Sequence, residues 1–273
     1  MKNIIRIKKG LAIGCILFSW VFILSCSNDP KQESKAQDST IQLFNGENLD
    51  GWYTFIRDRG KNTDPKNVFT VQDGILHISG EEWGCITTEE EYENYHLTTE
   101  FKWGGGTHEP RLDRARDCGI LLHSQGEDGG YNGTWMHSIE CQIIEGGSGD
   151  FIVVGDKTDK FSITSPVAEE KQGSSFVYQP GGELATINSG RINWYGRSPE
   201  WKDTIDFRGE QDVEKPVGEW NTMECIAKGD TIIVKLNGVE VNKAINVKPS
   251  KGRIQVQSEA AEILFRKIEL KKL

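Results

Sequence analysis

The stretch TMECIAKGDTIIVKLNGVEVNKA, residues 222–244, decides the fold that the sequence predicts. Apolar and polar side chains alternate in it over three short runs, which is the period of half-buried β-strands. The runs are separated by Lys228-Gly229-Asp230 and by Asn237-Gly238. An Asn-Gly pair favours a tight hairpin turn because both residues tolerate a positive φ. We therefore predict three antiparallel strands, at residues 222–227, 231–236 and 239–244.

The same period of two continues along most of the chain, and no segment shows a sustained helical period. About a dozen short strands in a chain of this length favour two antiparallel sheets packed face to face. We therefore predict an all-β, jelly-roll-type β-sandwich that occupies residues 41–273 as one domain. The further strands are predicted at residues 42–44, 69–71, 75–79, 85–87, 96–103, 119–124, 138–144, 252–258 and 262–270.

The amino-terminal segment, residues 1–25, has the order of a signal peptide, with a basic start and an apolar run at 11–24. That run is shorter than the roughly 20 apolar residues that a membrane-spanning helix requires. Cys26 follows a small residue at the expected cleavage point, which is typical of a lipoprotein. We expect an exported lipoprotein, anchored through acylated Cys26 and facing the periplasm or cell surface. Residues 26–40 are predicted to be a polar, solvated tether.

The charge balance limits the classes of partner. The formal net charge of the full chain is −9, and residues 1–25 contain four basic side chains and no acid, so their removal leaves −13. Nucleic acids and anionic lipid surfaces would repel such a chain. The charge therefore argues against a nucleic-acid partner and favours neutral or cation-assisted ligands.

Four cysteines follow the predicted anchor, namely Cys85, Cys118, Cys141 and Cys225. No CxxC pair occurs, so a zinc ribbon or a redox motif is not supported. Cys118 and Cys141 alternate with isoleucine and leucine in their predicted strands, which indicates burial in the core. An oxidising compartment would permit disulfides, but we predict free buried thiols.

Polar side chains on the outer faces of the strands are the first candidates for a binding site. Each sandwich strand directs alternate residues to the core and to solvent. This alternation places Glu140 and Gln142 on the outer face of strand 138–144, and His123 on that of strand 119–124. Carboxylate, amide and imidazole groups suit a concave sheet that binds sugar hydroxyls, because hydroxyls both donate and accept hydrogen bonds. The alternative is an ordinary solvated face.

Two dense segments, 116–123 and 135–146, contain the candidate catalytic residues. His123 lies near Glu140 if the two strands are neighbours, and Glu145 can turn toward the same rim from the strand end. Imidazole and carboxylate groups can divide general acid and base work, or they can hold a divalent metal ion. A direct hydrogen bond between His123 and Glu140 is the structural alternative. The candidate catalytic residues, which are also the candidate metal ligands, are Glu140, His123 and Glu145.

Aromatic rings that stack on a pyranose are the other mark of a sugar site. Five rings lie in or beside predicted loops, and we expect one or two of them to face the ligand, because most buried tryptophans belong to the core. The five are Trp83, Trp135, Trp194, Tyr195 and Trp201. The candidate substrate-binding residues are Gln142, Asp117, Arg116, Trp135, His137, Tyr195, Glu100 and Lys102.

Several motifs occur in order along the predicted domain: LFNG at 43–46 with LDGW at 49–52, DCGI at 117–120 with His123, WM at 135–136 with Ser138 and 140–146, and KP at 215–216 with GEWN at 218–221. Together they resemble the 3-keto-disaccharide hydrolase family. The resemblance covers the whole mature domain. It implies a concanavalin-like sandwich and cleavage of 3-keto-glycosides by 1,2-elimination, with hydration of the product in some members. The matching pocket positions are Asp117, His123, Glu140, Gln142 and Glu145.

The chemistry that the resemblance implies suits these residue types. A ketone at C3 acidifies the C2 hydrogen, so Glu140, Glu145 or His123 can remove it if a cation or donors such as Gln142 and Arg116 stabilise the enolate. Two other functions remain open, a non-catalytic carbohydrate-binding lipoprotein and a conventional glycoside hydrolase with two carboxylates. A 3-keto sugar requires a preceding oxidation, so we expect an exported oxidoreductase with a tightly held cofactor as a metabolic neighbour.

Overall fold

The computed structural model of the chain describes residues 40–273. The predicted signal peptide at 1–25, lipidated Cys26 and the tether up to residue 39 lie outside the described residues. Within residues 40–273, no helix is long and apolar enough to span a membrane.

Two sheets make up the described part of the chain, which confirms the predicted all-β sandwich. Their strands pair antiparallel except at one edge of the second sheet. In the order of pairing, the first sheet contains β13 (Glu183–Ile187), β11 (Ser162–Val167), β17 (Val239–Lys248), β16 (Thr231–Leu236), β15 (Asn221–Lys228), β7 (Tyr95–Thr107), β19 (Ala261–Lys272), β5 (Ile75–Ile78) and β4 (Phe69–Gln72), with β1 (Thr40–Gln42) against β19. The second contains β12 (Phe176–Val177), β14 (Gly190–Asn193), β10 (Phe151–Val154), β9 (His137–Ile144), β8 (Asp117–Gln125), β18 (Arg253–Ser258), β6 (Gly84–Thr88), β2 (Trp52–Ile56) and β3 (Gly60–Lys61).

The stretch that decides the fold forms the predicted three-strand meander, β15-β16-β17, in the first sheet. Asn237 and Gly238 make the hairpin turn with φ values of 50° and 83°. Asn and Gly carry these positive angles at low steric cost, which is why the pair favours this turn. The structure therefore confirms both the strands and the turn that the alternation predicts.

The apolar faces of the two sheets meet in one core. Ile139, Cys141 and Ile143 enter it from β9, and Cys225 enters it from β15. The four cysteines after residue 40 are buried and free, as predicted. A sheet with one face in the core leaves its other face for a ligand.

Residues 151–193 contain strands that the sequence pattern does not reveal, because these strands are short and lack a clear alternation. They include β10 and β14, which extend the second sheet beyond β9. This extension places Arg191 and Asn193 of β14 on the sheet that holds Glu140 of β9. The edge of the candidate site is therefore built by a part of the chain that the alternation left unassigned.

Candidate active site

Three carboxyl groups meet on the outer face of the second sheet. In the β8–β9 pairing, Leu121 lies opposite Glu140 and Asp117 lies opposite Ile144. Directly opposed residues of antiparallel strands share one face, so Asp117 and Glu140 lie on the same side. Glu259 follows β18, the strand on the other side of β8, and interacts electrostatically with both. We call Asp117, Glu140 and Glu259 the acidic triad.

Burial raises the pKa of each carboxyl in the acidic triad, and repulsion by other members of the triad raises the pKa of Glu140 and Glu259 further. Burial, and then the Asp117 carboxylate, raises the pKa of Glu140 to about 8, against the opposing effect of Arg191. Burial raises the pKa of Asp117 to about 7, although the Arg111 guanidinium lowers it. Burial, and then Asp117 and Glu140, holds the pKa of Glu259 well above its ordinary value. Carboxyl groups that titrate near neutrality suit general acid and base catalysis.

Amide side chains fix the acidic triad in place. The Nε2 group of Gln142 donates a hydrogen bond to Asp117. The Gln257 side chain lies beside the Glu140 carboxyl, directly over Gly119. A Cβ atom at Gly119 would overlap both the Glu140 carboxyl and the Gln257 amide. The absence of a side chain at Gly119 therefore lets Glu140 lie flat against the sheet.

A cavity of about 1060 Å³ has Asp117 in its wall, whereas Glu140 and Glu259 are not among the residues that line it. Its wall carries three guanidinium groups, those of Arg111, Arg191 and Arg197. The Arg111 Nη2 atom lies 3.2 Å from Asp117 Oδ2. Such a wall can offset negative charge that develops on a bound substrate. The other polar and aromatic residues of the wall include Gln172, Asn193, Tyr195, Trp201 and Asp203.

Asp150 holds two of these arginines. Its carboxylate is fully buried, lies 3.0 Å from Arg191 Nη1 and also pairs with Arg197. It accepts a further hydrogen bond from the backbone N–H of Trp194 at 2.7 Å. A buried carboxylate with these charge-assisted partners is satisfied, so Asp150 fixes the guanidinium wall rather than joining the acidic triad.

The pH dependence of the free energy of unfolding should reveal the raised pKa of Glu140. Folded Glu140 keeps its proton up to about pH 8, whereas the unfolded chain ionises near the ordinary value of 4.5. The unfolded chain then holds fewer protons across this window, so the unfolding free energy falls as the pH rises. Compared with that of Glu140→Gln, the free energy of unfolding of the wild type should fall by at most about 1.4 kcal/mol per pH unit, which is the limit for one proton. Urea unfolding of both proteins between about pH 5 and about pH 8 measures this, and a pH-independent difference contradicts it.

His123 lies away from the acidic triad, which corrects its predicted position. A β-bulge between Leu122 and Gln125 adds one residue to β8 and resets the alternation. His123 has a φ of 55°, and its Nδ1 atom lies 2.8 Å from the Pro249 carbonyl oxygen. Its ring packs edge-on against Tyr95, a core residue, at 5.7 Å between centroids. The imidazole is therefore buried on the core side of the strand.

Arg116 and Glu145 bind each other, and neither lines the large cavity. The Arg116 Nη1 atom lies 2.6 Å from Glu145 Oε1, and the Arg116 backbone N–H donates to Glu145 Oε2 at 2.8 Å. Arg116 also lies 2.9 Å from Asp206. The pair joins the end of β9 to the segment before β8. The catalytic role of Glu145 and the substrate-binding role of Arg116 stay predictions.

The predicted metal-ligand set of His123, Glu140 and Glu145 is not assembled. Each of the three has separate partners, as described above. Within the part of the chain that the structure describes, no three His, Cys, Asp or Glu side chains are placed to hold a metal ion.

The predicted aromatic residues divide between the cavity and small apolar clusters. Tyr195 and Trp201 line the cavity, and the expectation that one or two rings face a ligand stays a prediction. Trp135 instead packs against Trp83 at 5.6 Å between centroids and is almost fully buried. His137 lies beside Tyr131 and Phe161 and does not line the cavity.

Glu100 and Lys102, which are predicted to bind substrate, belong to the other sheet and do not line the large cavity. Both lie on β7, where Glu100 lies 2.5 Å from Arg266 and the Lys102 ammonium lies over the Trp220 ring. Outer faces of the two sheets point in opposite directions in a sandwich. The alternation identified an outer face correctly but could not say to which sheet it belongs.

Sequence reasoning missed four charged residues of the site. Glu259 directly follows the predicted strand at residues 252–258. Its position next to the polar face of that strand is the feature that could have identified it as a site residue. Arg111, Arg191 and Arg197 lie in segments with no predicted strand, so the pattern contained no signal for them.

The chain is similar to known proteins in sequence and in fold. The sequence model of a family described as a 3-keto-alpha-glucoside-1,2-lyase-like domain matches residues 39–271. A candidate glycosyl hydrolase from Parabacteroides distasonis has 18% sequence identity and a TM-score of 0.52, over 90% of this chain and 99% of that chain. A second protein of that organism, described in the same way, has 21% identity and a TM-score of 0.48, over 86% of this chain and 99% of that chain.

At these identities, the structural likeness shows the fold alone. No curated protein sequence matches this chain. The family match points to an enzyme that acts on carbohydrates. It spans nearly all of the described residues, and the chain therefore belongs to the family of 3-keto-alpha-glucoside-1,2-lyase-like domains.

Proposed function

We propose that this protein cleaves 3-keto-glycosides by 1,2-elimination at the anomeric carbon. The acidic triad carries the proposal, because Asp117 lines a cavity with a guanidinium wall and burial raises the pKa of all three carboxyl groups. Elimination needs one group that accepts a proton and one that donates a proton at the same pH. Asp117, with a pKa of about 7, suits the base, and Glu140, with a pKa of about 8, suits the acid.

The proposed reaction uses these two groups in turn. Asp117 takes the C2 proton, which the C3 ketone makes acidic, and the electron pair forms the C1=C2 double bond. The bond between C1 and the leaving oxygen breaks, and Glu140 protonates that oxygen. The products are a 3-keto-2-hydroxy-glucal and a free alcohol. Proton exchange between protonated Asp117 and ionised Glu140 restores the starting state. Water added to the glucal would complete a hydrolysis.

The guanidinium wall supports the same chemistry. Negative charge develops on the ketone oxygen as the C2 proton leaves, and fixed cations stabilise such charge more strongly in a site that excludes water. Arg111 and Arg191 both line the cavity, and both interact electrostatically with Asp117. Asp150 holds Arg191 before substrate arrives, so little reorganisation is needed during the reaction.

Incubation of the purified protein with a 3-keto-glucoside and with its unoxidised parent separates the functions, with products identified by mass spectrometry. We expect turnover of the oxidised sugar alone. Turnover of the parent sugar would indicate a conventional hydrolase, and binding of sugars without turnover would indicate a carbohydrate-binding protein. A parallel series with a chelator tests whether a divalent metal ion contributes.

A further inference from the structure

A second, smaller cavity of about 240 Å³ adjoins the large one. The two share Gln172, Tyr195 and Arg197 in their walls. The smaller cavity adds Glu210 and Gln211, which the large cavity lacks. Small-molecule sites commonly occupy about 300–1,000 Å³, so the two cavities together offer room for more than one sugar ring.

Tyr195 is the aromatic member of the five residues that line both cavities, together with Gln172, Arg197, Ser198 and Pro199. It lies in the walls of both, and 41% of its surface is exposed. Its ring packs edge-on against Trp194, with centroids 5.4 Å apart and planes at 75°. Trp194 is buried, and its backbone N–H donates to Asp150. Contact with Trp194 restricts the motion of the exposed Tyr195 ring. A ligand that stacks on such a ring therefore costs little side-chain entropy.

The polar groups around this ring suit hydroxyl groups. Gln172 is held by two hydrogen bonds, one donated to the Arg197 carbonyl at 3.0 Å and one accepted from Asn193 at 2.9 Å. Glu210 and Gln211 are exposed on the other side and bring a carboxylate and an amide. An aromatic platform with planar polar groups beside it matches a sugar, which has apolar C–H faces and a rim of hydroxyls.

We propose that the smaller cavity is the leaving-group subsite, where Tyr195 stacks on a hydroxylated ring. This inference rests on the proposed function, which places the 3-keto ring beside Asp117 in the large cavity. The scissile bond then lies between Asp117 and Tyr195. A glycoside with a sugar as leaving group uses both cavities, whereas a methyl glycoside uses only the larger. Tyr195 is therefore a specificity-determining residue.

Replacement of Tyr195 tests the subsite with two substrates, a 3-keto-disaccharide and a methyl 3-keto-glucoside. In Tyr195→Ala, we expect KM for the disaccharide to rise about tenfold, in line with the loss of one stacking contact. The kcat for both substrates should stay near the wild-type value, and the KM for the methyl glycoside should rise much less than the KM for the disaccharide, because Tyr195 also borders the large cavity. Tyr195→Phe keeps the ring and should behave as wild type. An equal effect on both substrates, or an effect on neither, overturns the assignment.

Binding measurements keep this test separate from the proposed function. Calorimetric titration in the Glu140→Gln background gives dissociation constants for both sugars without turnover. The disaccharide should bind more tightly than the methyl glycoside, and Tyr195→Ala in this background should remove that advantage. If wild type turns over neither sugar, the proposed function fails while these constants still decide the subsite. Equal affinity for both sugars overturns it.

Discussion

The Glu140→Gln variant is expected to lose turnover of 3-keto-glycosides by about a hundredfold to ten-thousandfold, the usual contribution of a general acid or base. Glutamine has nearly the same shape as protonated glutamate but carries no acidic proton. Because Glu140 is protonated up to about pH 8 in the folded protein, the substitution preserves packing. The loss should therefore appear in kcat, with little change in the affinity for the sugar.

Glu100→Gln is the matched control for this prediction. Glu100 lies on the outer face of the other sheet, where Arg266 pairs with it. The control removes one carboxylate from an outer face without touching the acidic triad, so turnover should remain at the wild-type level. Steady-state kinetics of both variants, with circular dichroism to confirm folding, measure the contrast. Full activity in Glu140→Gln would remove Glu140 from the mechanism.

The second large effect is expected for Gly119→Ala, a change of one methyl group. The new methyl would overlap the Glu140 carboxyl and the Gln257 amide, which are both ends of flexible side chains. The strand can therefore fold while these two groups move. A displacement of about 1 Å in a catalytic group can cost on the order of a hundredfold in rate. We expect kcat to fall by about that factor and thermal stability to change little.

Gly106→Ala is the control for the glycine substitution. Gly106 lies in β7 with open space around the position of a Cβ atom and no positive φ. This variant should keep wild-type turnover. If Gly119→Ala also keeps wild-type turnover, the position of the Glu140 carboxyl does not matter and the proposed acid is wrong.

The acidic triad also links activity to stability. Burial of a carboxyl with a raised pKa lowers stability above its ordinary pKa, and three such groups lie together here. Active sites commonly keep groups that lower the stability of the folded protein, because activity depends on those groups. A more stable but inactive Glu140→Gln variant at about pH 8 is the joint result that this arrangement predicts.

The strand pattern could be predicted because alternation is a local property of the backbone. The alternation in residues 222–244 and the Asn237-Gly238 pair were sufficient to predict the three-strand meander, since successive side chains in a strand point to opposite faces. The same rule placed Glu140 and Gln142 on an outer face and Cys141 in the core. Local geometry therefore determined the fold class and part of the site.

The partners of a strand or a side chain, and the position of a β-bulge, depend on contacts between segments that are distant in the sequence. The bulge after Leu122 arises from the pairing of β8 with β9, and one added residue moved His123 to the core side. Glu145 pairs with Arg116 because the pairing of β8 with β9 brings the end of β9 beside the start of β8. No local pattern contains such a contact, so the sequence could not show which of the predicted catalytic and metal-binding residues lie together.

The sequence alone determined that this chain forms a β-sandwich with carboxylates and amides on an outer face. Only the tertiary structure decided which of them act together. The strand order β14-β10-β9-β8-β18 brings Arg191, Glu140, Asp117 and Glu259 to one place, although they are far apart in the chain. The raised pKa values of the three carboxyl groups also belong to the folded state, because burial of these groups exists only after the chain has excluded water from that face.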